Sequence, residues 1–142
     1  MRSSILLGFL FLQFFCACGN SSDQAGDLPE NDVDAGRMFI QDALKGDYSR
    51  ARLLMIQDSL NNQYLDAAER NYQSRMSRED KRGYRESSIN VHDVRQEGDS
   101  VSIISYSNSF KKQNDSLKVV RVNGRWLVDL KYSFPKSGNL QK

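Results

Sequence analysis

The sequence predicts an α+β fold, with N-terminal helices packed on one face of a curved antiparallel sheet of about four strands. Three observations predict it. Apolar residues recur at intervals of three and four from residue 33 to the middle of the chain. They recur at intervals of two after residue 87, and an Asn123-Gly124 pair sits between the last two alternating runs. Helices first and strands afterwards is the order of an α+β domain.

In the first helix Val33, Gly36, Phe39 or Ile40, Ala43 and Leu44 share one stripe, with Asp32 available as its cap. Gly46 suits the end of that helix and Asp47 the start of the next, a short one with Tyr48, Ala51, Leu54 and Met55 on one side. A third helix starts near Ser59 and lines up Leu60, Tyr64, Ala67 or Ala68, and Tyr72. Ser77 and Asp80 have capping-box spacing, so "SREDKRGYRE" reads as a final short helix, in which Gly83 costs about 1 kcal/mol against Ala.

The stretches "SINVHDV", "SVSIISYSNSF", "SLKVVRV" and "RWLVDLKYSF" are rich in β-branched and aromatic residues, with "EGD", "KKQND" and "NG" between them. Asn and Gly tolerate the positive φ that a two-residue primed turn demands, so the last two strands form a hairpin. The last strand alternates Trp126, Val128, Leu130 and Tyr132 against Arg125, Asp129 and Lys131, with Leu127 as the exception. Adjacent Ile103 and Ile104 break alternation in the second strand and predict either a bulge or burial on both faces.

A chain of 142 residues has room for one core and not for two ordinary domains. Its 20 basic and 18 acidic side chains are interspersed, which gives no basic stripe of the kind nucleic acid requires. The first residues are of another character: "MRSS" is followed by "ILLGFLFLQFF", an apolar run too short to span a bilayer and followed by the polar "GNSSDQAGD". That is the pattern of a signal peptide.

Both cysteines lie at the end of this run, in "FCACGN". A disulfide between residues two apart is badly strained, and a metal site needs further ligands, whereas His92 is the sole histidine. The stretch resembles a bacterial lipobox, with small Ala17 before Cys18, although Phe15 departs from the commoner Leu. The resemblance implies cleavage before Cys18, diacylglycerol on its thiol and a membrane anchor made stable by more than one acyl chain. The domain organisation that follows is a lipoprotein signal peptide over 1–17, the lipidated cysteine and a flexible tether over 18–32, and a single α+β domain over 33–142. The tether reaches roughly 20 Å. The implied location is the bacterial cell envelope, anchored to the outer membrane on its periplasmic or cell-surface face.

The residues "ALKGDYSRARLLM" and "LKVVRVNGRWLVDL", together with the lipobox, resemble the small Bacteroidetes-type lipoproteins with a nuclear-transport-factor-two-like (cystatin-like) domain of unknown function. The resemblance runs over residues 33 to 133. It implies a cone-shaped fold with a long curved sheet, frequently dimerised through that sheet. The wider superfamily includes isomerases, dehydratases, transport factors and ligand binders, so the fold does not choose a function.

Two classes of function remain. The first is a lipid-anchored, non-catalytic module that binds a small apolar ligand or an envelope protein, for which Tyr64, Tyr106 and Trp126 are the binding candidates. These belong to an aromatic set, with Tyr72, Phe110 and Tyr132, that either lines a pocket or fills the core. The alternative is an isomerase- or hydrolyase-like enzyme with one acid or base in a cone cavity. Its candidates are His92 and Asp129, although alternation sets Asp129 opposite Trp126 and sets His92 opposite its neighbour Asp93. No nucleophile elbow, phosphate loop or metal-ligand spacing occurs, and the sequence implies no metal and no cofactor.

Overall fold

A computed structural model describes residues 28–133. Cys18, the signal segment 1–17 and the tether as far as residue 27 lie outside the described residues, as does Phe134. What is described is an α+β arrangement of four helices followed by an open, four-stranded antiparallel sheet in the order β1-β2-β3-β4.

Helix α1 (Asp32–Lys45) is capped one residue earlier than the sequence predicts: the Asn31 side chain accepts from the Asp34 N–H at 2.9 Å. Asp32 has a different task. Its buried carboxylate accepts from Gln96 Nε2 at 2.7 Å and from the Ser102 hydroxyl. Burial raises its pKa, but the bonds from Ser102, Gln96 and nearby backbone N–H groups outweigh that and hold the carboxyl below its usual range. The start of α1 is thereby stapled to β1 (Ile89–Gln96) and β2 (Val101–Asn108).

Gly46 ends α1 as expected, at φ 82°, where only glycine is at ease. Asp47 then caps α2 (Tyr48–Leu53) by accepting from the Arg50 N–H at 3.1 Å. Met55 is the first departure from the helical stripe. It forms a parallel bridge with Val128, while Val128 N–H donates to Leu54 O and Ile56 N–H to Val128 O, both at 2.9 Å. An edge strand presents unpaired backbone groups, and these two bonds satisfy some of them along β4 (Arg125–Asp129).

In α3 (Ser59–Ser74), capped by Asp58, the buried stripe is shifted by one position from the expected one. Asn61 and Leu65 are the buried residues, at 0% and 1% exposure, whereas Leu60 is half-buried. Asn61 displaces its neighbour because its amide meets the backbone of Leu130. Helix α4 (Arg78–Glu86) begins where the capping box predicts, with Ser77 Oγ accepting from the Asp80 N–H at 3.0 Å.

Strands β3 (Asn114–Val122) and β4 join through Asn123 and Gly124 at φ 50° and 79°, the primed turn read from the sequence. Strand β4 stops at Asp129, so Tyr132 does not continue its buried face and is 43% exposed. Ile103 and Ile104 are both buried and β2 pairs regularly there; the irregularity lies in β1, between Val91 and Asp93. The core joins Phe39 and Ile40 of α1, Met55, Leu65, Ile104 and Val128. Full burial of such side chains contributes about 1.5–3 kcal/mol each.

Candidate functional site

Beside this core, where the far end of α1 passes over the sheet, lies a cleft of about 300 Å³. Its floor is apolar, from Phe39, Ile40, Ala43 and Leu44 of α1. Four tyrosines stand around it: Tyr48 of α2, Tyr72 of α3, Tyr84 of α4 and Tyr106 of β2. Lys111 and Gln113 from the β2–β3 turn, with Asp115 of β3, form the polar rim.

Local sequence explains how these rings arrive together. The turn at Gly46 sends the chain straight into Tyr48, and a Cβ at Gly46 would lie 2.5 Å from the Tyr72 ring. The missing side chain therefore makes room for Tyr72, which packs edge-on against Tyr48 with centroids 5.8 Å apart and donates its hydroxyl to Lys45 O at 3.3 Å. Lys81 Nζ sits 5.3 Å from the Tyr72 centroid and donates to Gln73 O at 3.1 Å.

The other wall depends on Gly83, which brings α4 close to the β2–β3 turn. A Cβ there would meet the Phe110 ring at 2.4 Å, and that ring packs edge-on against Tyr84 at 5.2 Å. The turn is held by Asn108, whose Oδ1 accepts from the Lys111 N–H at 2.8 Å. Lys111 Nζ then lies 5.9 Å from the Tyr84 centroid, 5.5 Å from that of Phe110 and 3.9 Å from Asp80 Oδ1.

Burial, followed by the nearby Tyr72 and Glu69, pushes the Tyr48 phenol up to about 12. Burial first and the Asp115 carboxylate second push Tyr106 up as well; its hydroxyl is 3.5 Å from Asp115 Oδ2. Both phenols therefore keep their protons through the physiological range and serve as neutral hydrogen-bond donors. An apolar floor under such donors can hold and orient a small molecule.

Of the three aromatic candidates, the structure places Tyr106 in this cleft and the other two elsewhere. Trp126 pairs with Arg121 on β3, whereas Tyr106 pairs with Asp115, six residues away and roughly 20 Å along the strand. Trp126 packs on the core and carries the Arg121 guanidinium 5.8 Å from its ring. Tyr64 also packs against the core, from α3. His92 is exposed and occupies the irregular position of β1, where its Nε2 is 2.8 Å from Ser107 Oγ. Asp129 is next to buried Val128 in β4 and lies 3.4 Å from Lys131 Nζ. Neither His92 nor Asp129 lines the cleft.

The sequence reading passed over Tyr84, Lys111 and Asp115. Its one usable signal was Gly83 beside Tyr84 in an otherwise charged helix, a mark of close approach. A second depression, about 930 Å³ beside the start of α1, is lined largely by charged side chains such as Asp34, Arg37 and Arg50 and offers little apolar surface.

Among the described residues, no group of three or more His, Cys, Asp or Glu side chains is placed to hold a metal ion, and no helix is long and apolar enough to cross a membrane. Comparison of the chain with protein-family models, with curated proteins and with solved structures gave no match.

Proposed function

We propose that this chain is a lipid-anchored envelope protein whose domain, of nuclear-transport-factor-two-like type, is a non-catalytic module that binds a small apolar ligand in the tyrosine cleft. The observation that carries the reading is the cleft itself: about 300 Å³, with an apolar floor and four phenols around it. That volume is at the lower end of the range for small-molecule sites, roughly 300–1,000 Å³. The chemistry of the lining favours binding over proton transfer, because the lining groups with shifted acidity are phenols held in their neutral form. The helix-then-meander order supports the fold assignment, and "FCACGN" supports the anchor at Cys18.

Two experiments test the address and the cleft. Cys18→Ser is expected to leave the outer-membrane fraction, and unchanged fractionation would overturn the anchor. The full chain is expected to enhance the fluorescence of the neutral apolar probe N-phenyl-1-naphthylamine, and Ala43→Phe, which fills the floor, to lower that affinity at least tenfold. Equal affinity in the filled variant would overturn the cleft as the binding site.

A further inference from the structure

Building on the cleft reading above, we infer that the ligand is a small amphiphilic monoanion, an apolar body with a carboxylate-like head, seated with the head at Lys111.

The lining offers several donors: the hydroxyls of Tyr48 and Tyr84, the ammonium of Lys111, and the amide NH₂ of Gln113. Asn108 adds its NH₂, since its Oδ1 is already taken by the Lys111 N–H. The Tyr72 hydroxyl is already committed to Lys45 O and that of Tyr106 to Asp115 Oδ2. Against these stands one charged acceptor in the lining, Asp115, and it is partly occupied: Oδ1 accepts from the Ser116 N–H at 2.8 Å and Oδ2 faces the Tyr106 hydroxyl. A ligand with an anionic head therefore meets an ammonium and several neutral donors, whereas a cationic head finds one charged acceptor that is partly occupied.

Charge in the elements that flank the cleft points the same way. From residue 75 to 86 there are five basic side chains, Arg75, Arg78, Lys81, Arg82 and Arg85, against three acidic ones, Glu79, Asp80 and Glu86. Lys111 and Lys112 add two positive charges from the facing turn. Asp80 is the nearest acid to Lys111, at 3.9 Å with both side chains 40% exposed or more, so the ammonium is only loosely held by it. The apolar floor decides that the anion is amphiphilic, because an inorganic ion would leave Phe39, Ile40 and Leu44 uncovered.

A set of ligands with one body and three heads tests this: 4-phenylbutyrate, 4-phenyl-1-butanol and 4-phenylbutylamine, titrated calorimetrically into the full chain at neutral pH. The expected order has the anion at least fivefold tighter than the alcohol and the amine weakest. Lys111→Gln is expected to erase the anion's advantage over the alcohol, and Lys112→Gln, next in sequence but outside the lining, to leave that advantage intact. If alcohol and amine bind as tightly as the acid, the anion inference is overturned and the apolar cleft stands. If Lys112→Gln matches Lys111→Gln, the preference comes from the general field and the seat at Lys111 is overturned. If none of the three binds, the cleft reading falls with it.

Discussion

Two regions of this molecule treat their polar groups in opposite ways. Along β4, Asn61 is fully buried and both halves of its amide are used: Oδ1 accepts from the Leu130 N–H at 2.8 Å and Nδ2 donates to Asp58 Oδ2 at 3.0 Å. Asp58 in turn caps α3 and meets the Lys131 ammonium. At the β2–β3 turn the side-chain pairs are more loosely joined, with 3.5 Å between Tyr106 and Asp115 and 3.9 Å between Lys111 and Asp80. Groups that satisfy one another close a region of the fold, whereas groups held loosely at an exposed rim keep hydrogen-bonding capacity for something else. The contrast marks the first region as structural and supports the second as the proposed place for a ligand.

The largest expected effect follows from breaking the closed region. Asn61→Ala removes the acceptor of a buried backbone N–H and leaves a void among packed neighbours. A stranded buried donor costs about 1–3 kcal/mol, and the void adds to that, so the loss should be about 2–4 kcal/mol in urea denaturation. A loss under about 1 kcal/mol would mean that water or a neighbour replaces the amide easily, and the two regions would not differ as argued.

Phe110→Ala should have a smaller effect on stability and a clearer one on binding. The edge-on pair with Tyr84 is worth about 0.5–1.5 kcal/mol, and Phe110 is 40% exposed, so about 1 kcal/mol of stability should be lost. Lys111 loses one of its two rings and its turn loses the contact with Gly83. The affinity for 4-phenylbutyrate is then expected to fall severalfold, which Asn61→Ala, for all its larger cost in stability, should not cause in the folded fraction. Equal binding in wild type and Phe110→Ala would show that the turn does not shape the rim.

How much of this was legible beforehand differs between the two regions for physical reasons. Helix punctuation was read correctly at Gly46, Asp47 and Ser77, and the hairpin at Asn123-Gly124, because those residues act through their own backbone within a few positions. Asn31 as the cap was missed, because what takes Asp32 out of that role are Gln96 and Ser102, more than sixty residues away. Asn61 was passed over and Met55 misplaced for the same reason: polarity and helical period say nothing of a backbone N–H at Leu130 or an unpaired edge at Val128. In the cleft, Tyr106 was on the candidate list, whereas Tyr84 and Lys111 come together only through the close approach at Gly83. Tyr64 and Trp126 look alike in sequence but lie on other parts of the core.

The smallest effect is a pH dependence in the closed region, at Asp58. Bonds from the Asn61 backbone N–H and from Lys131 hold the Asp58 carboxyl at about 2, below its ordinary 3.8. A carboxyl depressed in the folded state stabilises the fold at every pH above its unfolded value, and that contribution is lost as pH falls from about 4 through about 2. The pair with Lys131 is exposed and screened by salt, so the loss should be smaller than that from Asn61→Ala and weaker at high ionic strength. Unfolding midpoints measured between pH 5 and pH 2 should therefore fall less steeply in Asp58→Asn than in the parent chain. Identical slopes would place the acid sensitivity elsewhere, with Asp32 the next carboxylate to test, since it too is held below its usual range, by Ser102 and Gln96 at the other end of the same set of helices.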